Sequence, residues 1–361
     1  MASLSQLGNS LYRGDVSYNI VGRRKAWYLV SAILIILSIA TLGVRGLNLG
    51  IEFKGGAEFS VPLSGANDDS VSQARQTVIA AGETPSTITI IGGDTIRIQT
   101  PALSTEASNA LSAALADSFA VDEANIKVQL VGPSWGDEVT QNAIRALLVF
   151  LVLVAIFLSI YFEWQMAIAA LVALAHDVLI TVGIYALSGF EVTPASVIGF
   201  LTILGYSLYD TVVVFDKVKE NTHGIHGGSR TTYSEAANLA LNQTLVRSIN
   251  TSVVALLPVL SILIVGVALL GAGTLNDLAL ALFVGMLVGT YSSIFVATPF
   301  LCQMKERAPE NIALAKRVQA KRKNGDAVEV KQVVAVGAPI VASAGPRQQR
   351  VKKTRSRRTG K

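Results

Sequence analysis

The chain has 361 residues, of which 51% are hydrophobic and only 15% charged, with a formal net charge of +5. That profile belongs to a protein crossing a bilayer several times and excludes a large soluble enzyme. A single cysteine, Cys302, rules out an internal disulfide framework and a multi-thiolate metal site. No GxxxxGK[ST], HExxH or GxSxG motif gives nucleotide hydrolysis or the common hydrolase chemistries a seat.

Residues 1–25 read as a polar cytoplasmic N-terminus ending in Arg23-Arg24-Lys25. The apolar run that follows is too long for a signal peptide and lacks a small-x-small cleavage site, so it is expected to stay as a span. Six such runs, near 26–44, 142–162, 165–187, 194–215, 246–270 and 278–303, approach the roughly 20 residues that cross about 30 Å of hydrocarbon. The second and third are separated only by a turn at Phe162-Glu163-Trp164 and must form a hairpin.

Lys and Arg beside the spans set the expected orientation. Arg23, Arg24 and Lys25 precede the first span, Lys217, Lys219 and Arg230 lie in the loop at 216–245, and Lys305 and Arg307 open the tail. These segments are assigned to the cytoplasm, which puts both termini there and places 45–141, with its acid excess, on the far side.

Within 45–141, strands are expected at Ala57–Leu63, Ser86–Ile91, Thr95–Thr100 and Ile126–Val131, with helices at Asp69–Ala81 and Thr105–Ser118. The order strand–helix–strand–strand–helix–strand is ferredoxin-like, with Gly92-Gly93-Asp94 turning the central hairpin. No Ser/His/Asp set or His cluster appears in it, so contact is expected of this α+β domain and not catalysis. From 304 to 361 the chain is polar and basic, and it reads as a disordered cytoplasmic tail beside anionic lipid, with no nucleic acid expected as a partner.

Ionisable groups inside spans are costly and are functional candidates by default. Asp210, in Gly205-Tyr206-Ser207-Leu208-Tyr209-Asp210-Thr211, shares a helical face with the hydroxyls of Tyr206 and Ser207. Two readings are open for it: a carboxylate poised to load and release a proton, or a static ion pair. Arg247, near the start of the fifth span, lies at a depth suited to Asp210; it either tunes that carboxylate or snorkels to the interface. His176-Asp177, near the middle of the third span, offers a relay or a polar packing contact. Asp216 falls at a helix end, where a structural role is expected. One His among scattered carboxylates makes no metal ligand set.

These segments together resemble the SecF family of protein-export membrane proteins. Gly50-Ile51-Glu52-Phe53-Lys54-Gly55-Gly56 is similar to the family's GIDFxGG element, Val131-Gly132-Pro133 to its VGP, and His176-Asp177-Val178 to its HDV. Gly205 to Asn221 is close to G-Y-S-x-x-D-T-V-V-V-F-D-R-x-R-E-N. Glu52 and Lys54 depart from that pattern, and the basic tail lies outside it.

The resemblance implies a six-span half of an RND-type transporter in a bacterial cell membrane, paired with SecD. It implies a place beside the SecYEG channel and SecA motor, acting on unfolded exported polypeptide. Asp210 and Arg247 are implicated in proton coupling, with protons as the coupling ion and no other cofactor. The alternatives are an RND-type small-molecule exporter and a passive scaffold of the export channel.

Overall fold

The computed structural model describes residues 10–13, 16–267 and 273–323. Residues 268–270 of the expected fifth span and 324–361 of the tail lie outside them. Helix α1 (Arg24–Arg45) crosses the bilayer first. It leads through the two-residue strand β1 (Asn48–Leu49) and the short helix α2 (Ile51–Lys54) into the α+β domain.

That domain runs β2 (Gly56–Pro62), α3 (Asp68–Ala80), β3 (Thr87–Ile91), β4 (Thr95–Thr100), α4 (Thr105–Phe119) and β5 (Lys127–Val131). All its strands pair antiparallel in the spatial order β3-β4-β2-β5, the ferredoxin-like arrangement. Period-2 alternation gives the sheet two unlike faces. Phe59, Val61, Ile96 and Ile98 point into a core with Val78, Leu111 and Leu115 from the two helices. Glu58, Arg97 and Gln99 occupy the intervening positions on the opposite face. The β3–β4 hairpin needs positive φ at both central residues, which Gly92 (64°) and Gly93 (78°) supply without strain. Asn67 and Ser104 cap α3 and α4 by accepting the backbone N–H of Ser70 and Ala107.

Five further helices complete six that are long and apolar enough to cross a membrane. They are α5 (Pro133–Tyr161), α6 (Trp164–Ser188), α7 (Pro194–Thr222), α8 (Tyr233–Ser261) and α9 (Gly273–Ser292), the last continuing through a π-helical stretch, Ser293–Ala297, into α10 (Thr298–Glu306). Large apolar side chains such as Leu29, Ile36, Leu153 and Ile160 face outward, while the interior mixes large residues such as Leu158, Met166 and Phe215 with many Ala, Ser and Gly. Small residues let the helices approach: a Cβ on Gly183 would lie 2.6 Å from the Ser38 Cα.

The α+β domain joins the bundle at two places. At the first, its entry and exit are packed together, since a Cβ on Gly136 of α5 would sit 2.7 Å from the Phe53 carbonyl and one on Gly55 3.0 Å from Pro133. At the second, β1 pairs parallel with β6 (Glu191–Val192), the link between α6 and α7. At the opposite end of the bundle, Asn238 accepts the N–H groups of Ile20 and Val21 at 2.9 and 3.1 Å, pinning the N-terminal segment to α8.

The beginning of the expected disordered tail is ordered instead. Helix α10 extends to Glu306 and α11 (Pro309–Lys323) follows, burying Asn311, Leu314 and Val318. Arg322 forks onto both oxygens of Glu235 at 2.8 and 2.9 Å. The spacing of the three buried residues puts them on one helical face, and that face has a surface to cover.

Candidate functional site: two buried carboxylates joined by serines

Asp210 lies in α7 and Asp177 in α6, and both are almost wholly enclosed, at 4% and 3% exposure. Neither is held by a Lys or Arg in any ion pair among the described residues. Hydroxyls hold them instead. Ser248 of α8 donates to Asp210 Oδ1 at 2.7 Å, and Ser293 donates to its other oxygen. Ser207 of α7 and Ser292 of α9 both donate to Asp177 Oδ2, at 2.5 and 2.8 Å.

Helical geometry explains how one chain serves both acids. Consecutive helix positions point about 100° apart, so Ser292 reaches Asp177 on α6 while Ser293 reaches Asp210 on α7. Ser207 stands one turn before Asp210 on its own helix. The two carboxylates thus sit in neighbouring clusters of hydroxyls, with Ser292 of one and Ser293 of the other adjacent in the chain. A further layer surrounds Ser248: Ser252 lies 2.6 Å from Thr290 Oγ1 and accepts from the Tyr206 hydroxyl at 3.2 Å. The π turn beginning at Ser293 widens the helix at this level, a distortion that often marks functional sites.

On the other side of Asp177, His176 Nδ1 lies 3.0 Å from Oδ1, and its Nε2 is enclosed with no hydrogen-bond partner. The ring stacks on Tyr291 at 6.0 Å between centroids. A cavity of about 20 Å³, lined by Asp177, Val178, Thr181, Phe200, Ile203 and Leu204, lies beside the carboxylate. It is large enough for one water molecule.

The expected residues therefore separate. Asp210, Asp177, Ser207, Tyr206 and His176 come together inside the bundle. Arg247 does not join them: it is exposed and donates at 3.5 Å to the Tyr209 hydroxyl, which also points outward. Its depth matches Asp210, but its neighbour Ser248 occupies the direction that faces the carboxylate. The Asp210–Arg247 pair is accordingly replaced by an Asp210–Ser248 bond. Asp216 is exposed on the last turns of α7. Ser248, Ser292 and Ser293 escaped the sequence reading because a serine in an apolar run looks like a small packing residue. Their signal is the doublet Ser292-Ser293 in the same run as Thr290.

The family model for the C-terminal part of the SecD/SecF protein-export membrane proteins matches residues 111–307, and that for the SecD/SecF GG motif matches residues 40–66. The chain is 51% identical over 327 residues to the protein translocase subunit SecF of Streptomyces coelicolor, covering 91% of this chain and 87% of that protein. The chain belongs to the SecF family. SecF of Rhodothermus marinus is 35% identical, with 83% of this chain and 97% of that protein covered. Among solved structures, SecDF of Thermus thermophilus, described as a translocon-associated membrane protein, superposes with a TM-score of 0.72 at 32% identity. The match covers 81% of this chain but 39% of SecDF, which is the longer protein. The six helices are those of an RND-like membrane protein, and SecF membership makes this a multi-pass membrane component of protein export.

Proposed function

We propose that this chain pairs with a SecD-type protein and uses proton entry to assist the late stage of polypeptide export, with Asp210 as the group that carries the proton. The observation that carries this reading is a carboxylate at 4% exposure inside a span, bonded only to hydroxyls. A permanently charged carboxylate there would be expected to hold a cation; hydroxyls can turn from donor to acceptor and so serve both its ionised and its protonated form. Asp177, linked through Ser207, Ser292 and Ser293, is the second station of the same relay. His176, whose Nδ1 faces it, keeps it in place.

Arg247 and Tyr209 form an exposed polar pair among exposed apolar residues such as Val254, Ile198 and Val253, with Asn250 beside them. A guanidinium facing lipid is expensive. We assign that face to the partner half, in keeping with the SecDF relatives in which both halves form one chain. The orientation with both termini in the cytoplasm belongs to this proposal, as do the SecYEG channel, the SecA motor and unfolded polypeptide as partners.

The test is late-stage export in membrane vesicles carrying Asp210→Asn together with its native partner. Loss of the completion that depends on proton motive force, with normal membrane insertion, is expected. Undiminished force-dependent completion overturns the proposal and leaves a scaffold.

A further inference from the structure

A second polar cluster lies where the α+β domain meets the bundle, and the proposed relay does not use it. Arg97 and Gln99, on the polar face of β4, reach across to Glu191 of β6. The Arg97 guanidinium pairs with Glu191 Oε2, and the Gln99 amide donates at 2.8 Å to Oε1 and at 3.0 Å to Glu58. Glu191 is 7% exposed and stands just before Thr193, the N-cap of α7, the helix that carries Asp210. Ser196 in the first turn of α7 donates to the Glu191 carbonyl at 3.3 Å. One side chain is thus gripped by the domain while its backbone is fixed to the head of that helix.

Glu52, in the GG element, crowds this grip. A Cβ built on Gly50 would lie 2.5 Å from Glu52 Oε2 and 2.9 Å from Glu191 Oε1, so it is the missing side chain that lets two carboxylates share the space. Glu52 Oε2 is enclosed with no hydrogen-bond partner, and Arg97 Nε, in a loose ion pair with Glu58 Oε2 at 3.9 Å, makes no hydrogen bond either. A spare acceptor and a spare donor in one junction permit a second pairing. Among the described residues, the charged and titratable groups facing Glu52 are Glu58 from β2, Arg97 from β4, Glu191 from β6 and Asp277 at the head of the sixth span. Burial pushes the Glu52 carboxyl above the usual range; a hydrogen bond from its own backbone N–H opposes this, Glu191 and Glu58 add to it, and Arg97 opposes it more weakly.

We propose that this junction is a proton-dependent latch: while Glu52 is protonated, Arg97 and Gln99 clasp Glu191 and hold the α+β domain to the head of α7. When Glu52 gives its proton to solvent, its carboxylate repels Glu191 and competes for Arg97, and the clasp opens. A proton bound more tightly in the latched form than in the open one favours the latched form at pH values below the ordinary glutamate range. That preference is lost as pH rises through the raised value of Glu52. The latch does not depend on Asp210 carrying a proton.

The full-length chain in lipid nanodiscs, spin-labelled through cysteines placed at exposed Thr84 and Ser188, reports the distance between domain and bundle. Cys302 is fully buried and stays unlabelled. One narrow distance is expected at about pH 4, below the ordinary glutamate range, and a broadened, longer distribution at about pH 8, the open-to-closed ratio changing by at most about tenfold per pH unit for one proton. Glu52→Gln is expected to stay narrow at both values, and Arg97→Gln to be broad at both. If Arg97→Gln does not accumulate, Gln99→Leu carries the same expectation. A wild-type distance indifferent to pH overturns the latch, as does a Glu52→Gln chain that follows the wild type or a Gln99→Leu chain that stays narrow. Asp210→Asn should keep the response; if it abolishes it, the motion starts in the bundle and the latch is wrong.

Discussion

The α+β domain and the helical bundle both bury apolar side chains such as Phe59 and Phe215, but they differ in what they leave outside and in what else they enclose. In the domain, water is the solvent, and large apolar residues such as Phe59, Ile98 and Leu111 go inside while Glu, Asp and Lys stay out. In the bundle, Leu29, Ile36 and Ile160 stand outside, and Asp177, Asp210, His176 and a row of serines lie within. Hydrocarbon removes the reward for hiding a leucine and raises the cost of exposing a carboxylate. A buried acid is an exception in one region and part of the plan in the other.

Leucines of the two regions give the sharpest test of this contrast. Leu111→Ala, in the domain core at 0% exposure, is expected to destabilise the domain by about 2–5 kcal/mol in denaturant unfolding. Gly183→Ala pushes a methyl group against the Ser38 backbone and should cost about 1–3 kcal/mol in bundle stability, read by resistance to denaturing detergent. At an open helix position the same Gly→Ala change would be stabilising, so the sign reports the close helix contact at Gly183. Ser104→Ala removes the cap of α4 and should cost about 1 kcal/mol in the domain's denaturation midpoint. Leu29→Ala, at 63% exposure on a lipid-facing surface, should stay within about 0.5 kcal/mol in the detergent assay. A large loss there would show that a protein surface, and not lipid, covers α1.

Much of this plan was legible in the chain. Span lengths and the alternation in Thr95-Ile96-Arg97-Ile98-Gln99-Thr100 each follow from one solvent acting on one periodicity. Asp210, Asp177 and Ser207 were visible because a polar residue in an apolar run needs a reason. What the chain concealed was direction. Depth along two helices placed Arg247 near Asp210, but one step of 100° gave the contact to Ser248. The two-residue pairing of β1 with β6 was hidden for another reason: it joins segments about 140 residues apart and carries no pattern of its own. Helix α11 was masked by its charge, since Lys and Arg outnumber the three residues it buries.

The packing of α2 onto the start of α5 has a mechanical meaning. The chain enters and leaves the α+β domain through strands of backbone pressed together at Gly55 and Gly136, too close for a side chain between them. Two tethers set apart would hold the domain like a bridge deck, free to do little but rise and fall. Tethers fused at one point, once the clasp of Arg97 and Gln99 on Glu191 is open, make a mast that tilts about its base and resists being lifted. Whatever this domain touches, it meets along an arc, and the ends of β3 and β4 farthest from that footing travel the greatest distance for each degree of tilt.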